Sequence, residues 1–464
     1  TGIDWRQLSP AKEWTDGKQF QVRLAMVRMV VLVSCVTFFG IGAIPVEAQD
    51  EWPQWRGPSG QGHATAQHLP ETWSNEQNMV WSRNLPGRGW SSPVVTGNQI
   101  WVTAAVETPA TPEEIARLKA MPGGQPLSLS SSISLHALCV DFTTGKLLHD
   151  IELFREESPQ PIHSLNSYAS PSPVFAEGRL FCHFGAHGTA CLDVETREVL
   201  WVQRGIKLNH ENGPGSTPVL WKGRLIIQCD GSDRQSIIAL DVVSGQIAWE
   251  TARSGELHQN PQFKKAYGTP LVIRLDEQDQ LISPGANWLY SYNPENGEEL
   301  WRISYEVLGF SVVPRPVFGV GKIFFSTSFL QPELLAVDVT GAQPKIAWRC
   351  KRQAPTMPSP LLIGEELYMV SERGIMTCLN ANTGEAHWTA RLEGNFSSSP
   401  LFADGKIYVG NRDGQVFVLR PGREFNLIAT NELDSALMAS PVALRESLIF
   451  RSEESLYRIQ AESK

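Results

Sequence analysis

The stretch Ser399-Pro400-Leu401-Phe402-Ala403-Asp404-Gly405-Lys406-Ile407-Tyr408-Val409 decides the fold. A small polar residue and a proline lead into an apolar strand, Asp-Gly supplies a tight turn, and a second apolar run returns beside the first. The opening phrase recurs at Ser92-Pro93-Val94, Ser172-Pro173-Val174, Thr217-Pro218-Val219, Thr269-Pro270-Leu271, Arg315-Pro316-Val317, Ser359-Pro360-Leu361 and Ser440-Pro441-Val442. Successive prolines are 80, 45, 52, 46, 44, 40 and 41 residues apart. All but the first spacing match one four-stranded unit of a closed radial repeat.

Two further signals follow in fixed order within a unit. A third strand ends in Asp or Asn and a Gly-containing turn, as in Asp141-Phe142-Thr143-Thr144-Gly145, Asp241-Val242-Val243-Ser244-Gly245 and Asn380-Ala381-Asn382-Thr383-Gly384. The side-chain oxygen accepts local backbone N–H groups, and Gly takes the positive φ of such a turn. A fourth strand carries Trp201, Trp249, Trp301 or Trp388 eight positions after the Asp or Asn, with Trp348 displaced by two extra residues. Eight such units predict an all-β chain, an eight-bladed β-propeller of four-stranded antiparallel blades over residues 89–464.

The eighth unit ends without a Trp strand. The orphan segment Met79-Val80-Trp81-Ser82, within residues 49–88, supplies it, so an amino-terminal strand is expected to pair with the carboxy-terminal blade and close the ring. The long first interval holds an insertion in blade one. Thr111-Pro112-Glu113-Glu114 is a capping box with Pro at the first helical position, Ile115 to Ala120 is expected to be helical, and Pro122-Gly123-Gly124 ends it. A lid over one face is the expected role.

Residues 1–48 read as a secretory signal preceded by an extension. The chain opens on Thr1, and Met26 reads as the start of a basic segment, the apolar run Val30 to Ile44, and a small-residue cleavage site at Val46-Glu47-Ala48 before Gln49. An uncleaved anchor and a lipoprotein signal at Leu32-Val33-Ser34-Cys35 are the alternatives. The net charge of −9 argues against nucleic acid and anionic membrane partners. An exported, monomeric protein of the periplasm or cell envelope, without a membrane span once the signal is removed, is expected.

Chemistry-bearing residues are scattered. Of the cysteines beyond the signal, Cys139, Cys191 and Cys378 share the repeat position two before the turn Asp or Asn, where other blades have Ala or Ser, and read as small core residues. A hairpin turning at Gly185 to Gly188 would set Phe184 opposite Thr189 and Cys182 opposite Cys191, a candidate cross-strand disulfide. His210 and His258 lie in connections between blades with no nucleophile motif nearby. No metal site is expected; His183 and His187 straddle a β turn, which does not suit zinc. Polar residues after the second strands should gather on one face: His183, His187, Asp230, Asp233, Asn287, Trp288, Arg373 and Arg412. No catalytic residue is assigned among them. Of the tryptophans outside the repeat position, Trp288 is the leading candidate for a ligand-stacking ring.

The Ser-Pro-Val strand, the Asp-x-x-Thr-Gly turn and the Trp strand together resemble the pyrroloquinoline quinone-type propeller repeat. That repeat is found in quinoprotein alcohol dehydrogenases and in the non-catalytic propeller lipoprotein of the BAM complex. Trp52-Pro53-Gln54-Trp55-Arg56-Gly57-Pro58 and Asn166-Ser167-Tyr168-Ala169-Ser170 resemble exported bacterial members of the group. The resemblance implies either a scaffold binding an envelope protein or a small ligand, or an oxidoreductase using pyrroloquinoline quinone (PQQ) and calcium on alcohols or sugars. For the second, the Asp, Asn, Arg and Trp residues above would hold the quinone and calcium, with Asp230 or Asp233 as base. No two cysteines are adjacent, although the dehydrogenases of this group place a vicinal disulfide against the quinone. The scaffold is therefore the leading reading.

Overall fold

A computed structural model describes residues 51–120, 126–306 and 309–462; the expected signal sequence and the preceding extension lie outside them. Eight antiparallel sheets follow one another as expected. Blade two shows the pattern: Val174–Ala176 is innermost, followed by Arg179–His183, Thr189–Asp193 and the outer strand Val199–Gln203. Blade eight contains Val442–Leu444, Ser447–Arg451 and Ser455–Gln460, and its outer strand is Met79–Asn84, paired antiparallel from Met79 opposite Ile459 to Asn84 opposite Ser455.

The repeated tryptophan and its turn form the joint between blades. Trp201 of blade two donates its indole N–H to Val242 O of blade three at 3.0 Å, Trp249 to Pro294 O at 3.2 Å, and Trp348 to Ala381 O at 3.0 Å. Each acceptor is the residue after the turn Asp or Asn. The indole lies on the turn glycine: a Cβ on Gly245 would stand 2.5 Å from Trp201, and one on Gly384 2.7 Å from Trp348. Trp81 makes the same joint between blades eight and one, with Phe142 O at 3.0 Å and Gly145 under its ring. Across its own sheet the tryptophan faces the small third-strand residue: Cys191 opposite Trp201, Ala239 opposite Trp249, Cys378 opposite Trp388. A bulky residue there would push the indole out of the joint.

The residue before each anchor proline forms a second ring, around the axis. Its backbone N–H donates to the hydroxyl of the corresponding residue in the next blade: Ser92 to Ser172, Ser172 to Thr217, Thr217 to Thr269, Arg315 to Ser359, Ser359 to Ser399, Ser399 to Ser440, and Ser440 back to Ser92, all at 2.8–3.1 Å. The circuit lacks its bond from Thr269 because Arg315 has no hydroxyl. Arg315 Nε instead donates backwards to Pro270 O at 3.1 Å.

Blade one departs from the others. Its strands Gln99–Pro109, Ser130–Asp141 and Leu147–Glu157 rise well above the five to seven residues usual in the second and third strands elsewhere. The helix Pro112–Lys119 caps the excursion with both capping-box bonds, Glu114 N to Thr111 Oγ1 and Thr111 N to Glu114 Oε2. Among the described residues no helix is long and apolar enough to cross a membrane.

The expected Cys182–Cys191 pairing is corrected. Cys182 lies opposite Ala190 and Cys191 opposite Phe181, because Phe184 and the 3-10 turn Gly185–His187 place His183, not Phe184, opposite Thr189. A one-residue change of register sends the two side chains to opposite faces of the sheet. Cys182 joins the core facing blade one and Cys191 the core facing blade three, and the six described cysteines are free thiols.

Candidate functional site

The amino-terminal segment occupies the axial channel. Glu51–Trp52 adds to the inner edge of blade one, with Trp52 opposite Val95. Pro53 O then accepts from Phe175 N of blade two, Trp55 Nε1 donates to Ser440 Oγ of blade eight at 3.1 Å, and Arg56 Nη2 donates to Pro360 O of blade six at 2.8 Å. Gln61 Oε1 accepts from Phe318 N of blade five at 2.6 Å, and Gly62 and Ala64 bond Phe402 of blade seven. Six blades hold this one segment at the level of the hydroxyl ring.

Blade one's excursion covers part of the face formed by the loops after the second strands. Leu127–Ser128 pairs with Ile162–His163, and Asn166 Nδ2 bonds Asn212 O and Pro214 O in the connection between blades two and three, at 2.7 and 3.1 Å. Between this excursion and blades two and three lies a cleft of about 630 Å³. Leu118, Leu127, Ala186 and Leu208 give it an apolar lining, and Lys119, Glu156, Lys207, Glu211 and Asp233 place charges of both signs around it.

The expected site residues divide among different surroundings. His187 and Asp233 line the cleft together. His183 and His210 lie behind His187: His183 Nδ1 bonds Thr189 Oγ1 at 2.8 Å, and His210 Nε2 accepts from Ala186 N at 3.0 Å. Burial holds all three imidazoles neutral, lowering His183 and His187 to about 4 and His210 to about 3; the neighbouring ring His187 adds to the shift at His183. Asp233 Oδ1 accepts from Asn209 N at 2.7 Å.

Asp230 faces a different task. Both its oxygens receive Arg253, Oδ1 from Nε at 3.1 Å and Oδ2 from Nη2 at 2.9 Å, and both side chains are almost completely buried. Burial raises the Asp230 carboxyl and Arg253 opposes that rise. Arg253 also lies over the rings of Tyr290 and Tyr292. Trp288 packs against Gly255, donates to Glu256 O at 2.9 Å, and has Arg302 over its ring. Asn287 holds a positive-φ turn, its backbone bonded to Gly309 and Tyr305. Arg373 is exposed on the blade-six turn. Arg412 bonds Glu372 Oε1 at 2.7 Å and Ser397 Oγ at 2.7 Å. His163, in the connection from blade one to blade two, lies within the field of Arg412 and Glu372; burial first, then Arg412, lowers its pKa. His258 packs edge-on against Phe263.

These residues do not suit a quinone and calcium. Calcium needs several convergent oxygen ligands. Asp230 is committed to Arg253, Asp233 lies in a separate cleft, and among the described residues no cluster of three His, Cys, Asp or Glu groups could hold a metal. The axis at the hydroxyl ring is filled by Trp55 and Arg56.

Sequence reasoning missed the row Ser134, His136 and Asp150 in blade one, where Ser134 Oγ lies 2.7 Å from His136 Nε2 and His136 Nδ1 2.6 Å from Asp150 Oδ1. Ser134 and His136 sit two apart on one strand, and Asp150 comes from its neighbour, so no linear motif announces the row. Its order matches a hydrolase triad. Ser134 is nevertheless paired on both sides, with Val106 and Arg155, which commits its backbone to the sheet instead of to an oxyanion.

The family model described as outer membrane protein assembly factor BamB matches residues 55–251, 95–378 and 285–422 in overlapping alignments. BamB of Shewanella oneidensis is 21% identical over 233 residues, 47% of this chain and 54% of that protein, so the chain spans about half the length of this relative. The BamB crystal structure from Moraxella catarrhalis superposes with a TM-score of 0.53 at 14% identity, covering 83% of this chain and 98% of that one. A europium-containing methanol dehydrogenase superposes with a TM-score of 0.62 at 11% identity, over 88% and 90% of the two chains. At such identities the structures share the fold alone. The repeat carries the kinship through most of the propeller: the chain belongs to the BamB family of quinoprotein-like propellers.

Proposed function

We propose that this protein is a non-enzymatic propeller scaffold of the cell envelope, exported by the signal sequence in residues 1–48. It binds an envelope protein through the cleft between blade one's excursion and blades two and three. The observation that carries this reading is the filled axis. Where a flat cofactor would need open, convergent ligands, the chain inserts its own Trp55 and Arg56 and consumes Asp230 in an ion pair. The cleft supports the same reading: apolar walls of leucine with charges of both signs suit a segment of polypeptide better than a small alcohol or sugar. The relatives named for outer membrane protein assembly favour an envelope partner.

Photo-crosslinking tests this surface. A benzoylphenylalanine at Gln160, on the cleft, should yield one discrete adduct in envelope fractions. The same probe at Val243, on the outer rim and 65% exposed, should not. Equal labelling from both positions would refute the cleft as the docking surface. Amino-terminal sequencing of the exported chain should read from Gln49.

A further inference from the structure

The amino-terminal plug, residues 51–64, closes the axis, whereas the cleft between blade one's excursion and blades two and three stays open. The two walls of that cleft carry the same pair of side chains. The excursion contributes Leu118 and Lys119 from the end of its helix Pro112–Lys119, and the connection from blade two to blade three contributes Lys207 and Leu208. Each wall therefore offers a leucine with a lysine beside it in the chain.

The carboxylates of the cleft are already engaged. Glu156 pairs with Arg204, Glu211 pairs with the fully buried Lys265, and Asp233 Oδ1 accepts the Asn209 N–H at 2.7 Å. Lys119 and Lys207 are exposed and, among the described residues, neither forms an ion pair. Burial is the main cause of the low pKa of His187 on the cleft, Glu156 opposes it, and the charge of Lys207 adds to it, so the field of that ammonium reaches into the cleft. Two like charges facing one gap repel, and an anion between them relieves the repulsion. Ion pairs formed against apolar walls are screened less than pairs in open solvent. The positive excess is local, since the whole chain carries −9.

We propose that the cleft takes an extended polypeptide segment in which Asp or Glu stands next to Leu, Ile or Val. The carboxylates meet Lys119 and Lys207, and the aliphatic side chains lie on Leu118, Leu127 and Leu208. Repetition on both walls favours a polypeptide over a fatty acid, which brings a single carboxylate at one end. The cleft as docking surface is the premise; the acidic and aliphatic character of the docked segment is what the lysines and leucines add to it.

Random short peptides displayed on phage, panned on the purified protein carrying the Gln160 photoprobe, select such a segment directly. Peptides that crosslink at Gln160 should be enriched in Asp and Glu next to Leu, Ile or Val, and exchanging those acids for their amides should weaken a selected peptide about fivefold. The double variant Lys119→Glu, Lys207→Glu should turn the selection towards Lys and Arg, with its circular dichroism spectrum unchanged. Crosslinked peptides without an acidic excess, or an acidic excess that persists in the double variant, would overturn the acidic character while leaving the cleft as docking surface. Selection of no peptide at all would overturn it too; the envelope adduct from Gln160 then reads separately whether the cleft docks a protein.

Discussion

Trp201 illustrates how much one repeated side chain determines. Its ring covers Gly245 of the next blade, its N–H takes Val242 O, and Cys191 leaves room behind it. Trp201→Ala removes a large apolar side chain from a joint that cannot fully collapse, so a loss of about 3 kcal/mol is expected in urea denaturation. Gly245→Ala attacks the joint from the other side, since φ is 69° and the added Cβ strikes the indole; a loss of about 2 kcal/mol is expected from the same measurement. These roles were legible because tryptophan, small residue and glycine recur at fixed spacing. Asp230 was not, because a single acidic residue in a turn does not reveal that Arg253 awaits it. The hydroxyl ring was half legible: Ser or Thr recurs before the anchor prolines, but only the fold shows which N–H each hydroxyl receives.

The buried histidines give a pH dependence at the same scale. Their folded pKa values, about 4 for His183 and His187 and about 3 for His210, lie below the unfolded value. Between about pH 6.5 and pH 4 the unfolded chain therefore binds protons that the folded chain refuses. Stability contributed by the neutral rings is present above about pH 6.5 and lost as pH falls, by up to about 1.4 kcal/mol per pH unit for each histidine. His187→Gln should make the urea midpoint less steep across this window; an unchanged slope would count against burial as the cause.

Among the elements, the plug and the excursion have separable duties. Residues 51–64 touch six blades and hold the axis, so deleting them should destroy cooperative unfolding and not merely lower its midpoint. The excursion is an addition to a complete blade. Replacing residues 108–132 with a two-residue Asn-Gly turn joins strands already paired as Glu107 opposite Ile133. Circular dichroism should keep the native spectrum, whereas crosslinking from Gln160 should disappear. Turn chemistry at Thr111 made the helix readable in advance. The 3-10 turn at Gly185–His187 was not readable, because one residue more or less in a hairpin leaves the strand pattern intact while changing every cross-strand pair, and the candidate disulfide failed for that reason.

For the whole molecule, ring closure and the origin of the plug belong together. The segment that fills the axis at Trp55 continues into Met79–Asn84, the outer strand of blade eight, so the first described residues secure both the centre and the seam of the ring. Closure was expected from an orphan Trp strand; the plug was not, because its contacts are mostly backbone groups of six separate blades and leave no periodic trace. A fold shared with a methanol dehydrogenase is here combined with an axis the chain fills itself. The most direct test is a titration of the purified protein with pyrroloquinoline quinone in the presence of calcium. The absorbance should show no stoichiometric change, the thermal midpoint no shift beyond that of calcium alone, and alcohols or sugars should support no dye reduction. Saturable one-to-one quinone binding with substrate-dependent dye reduction would contradict the scaffold reading.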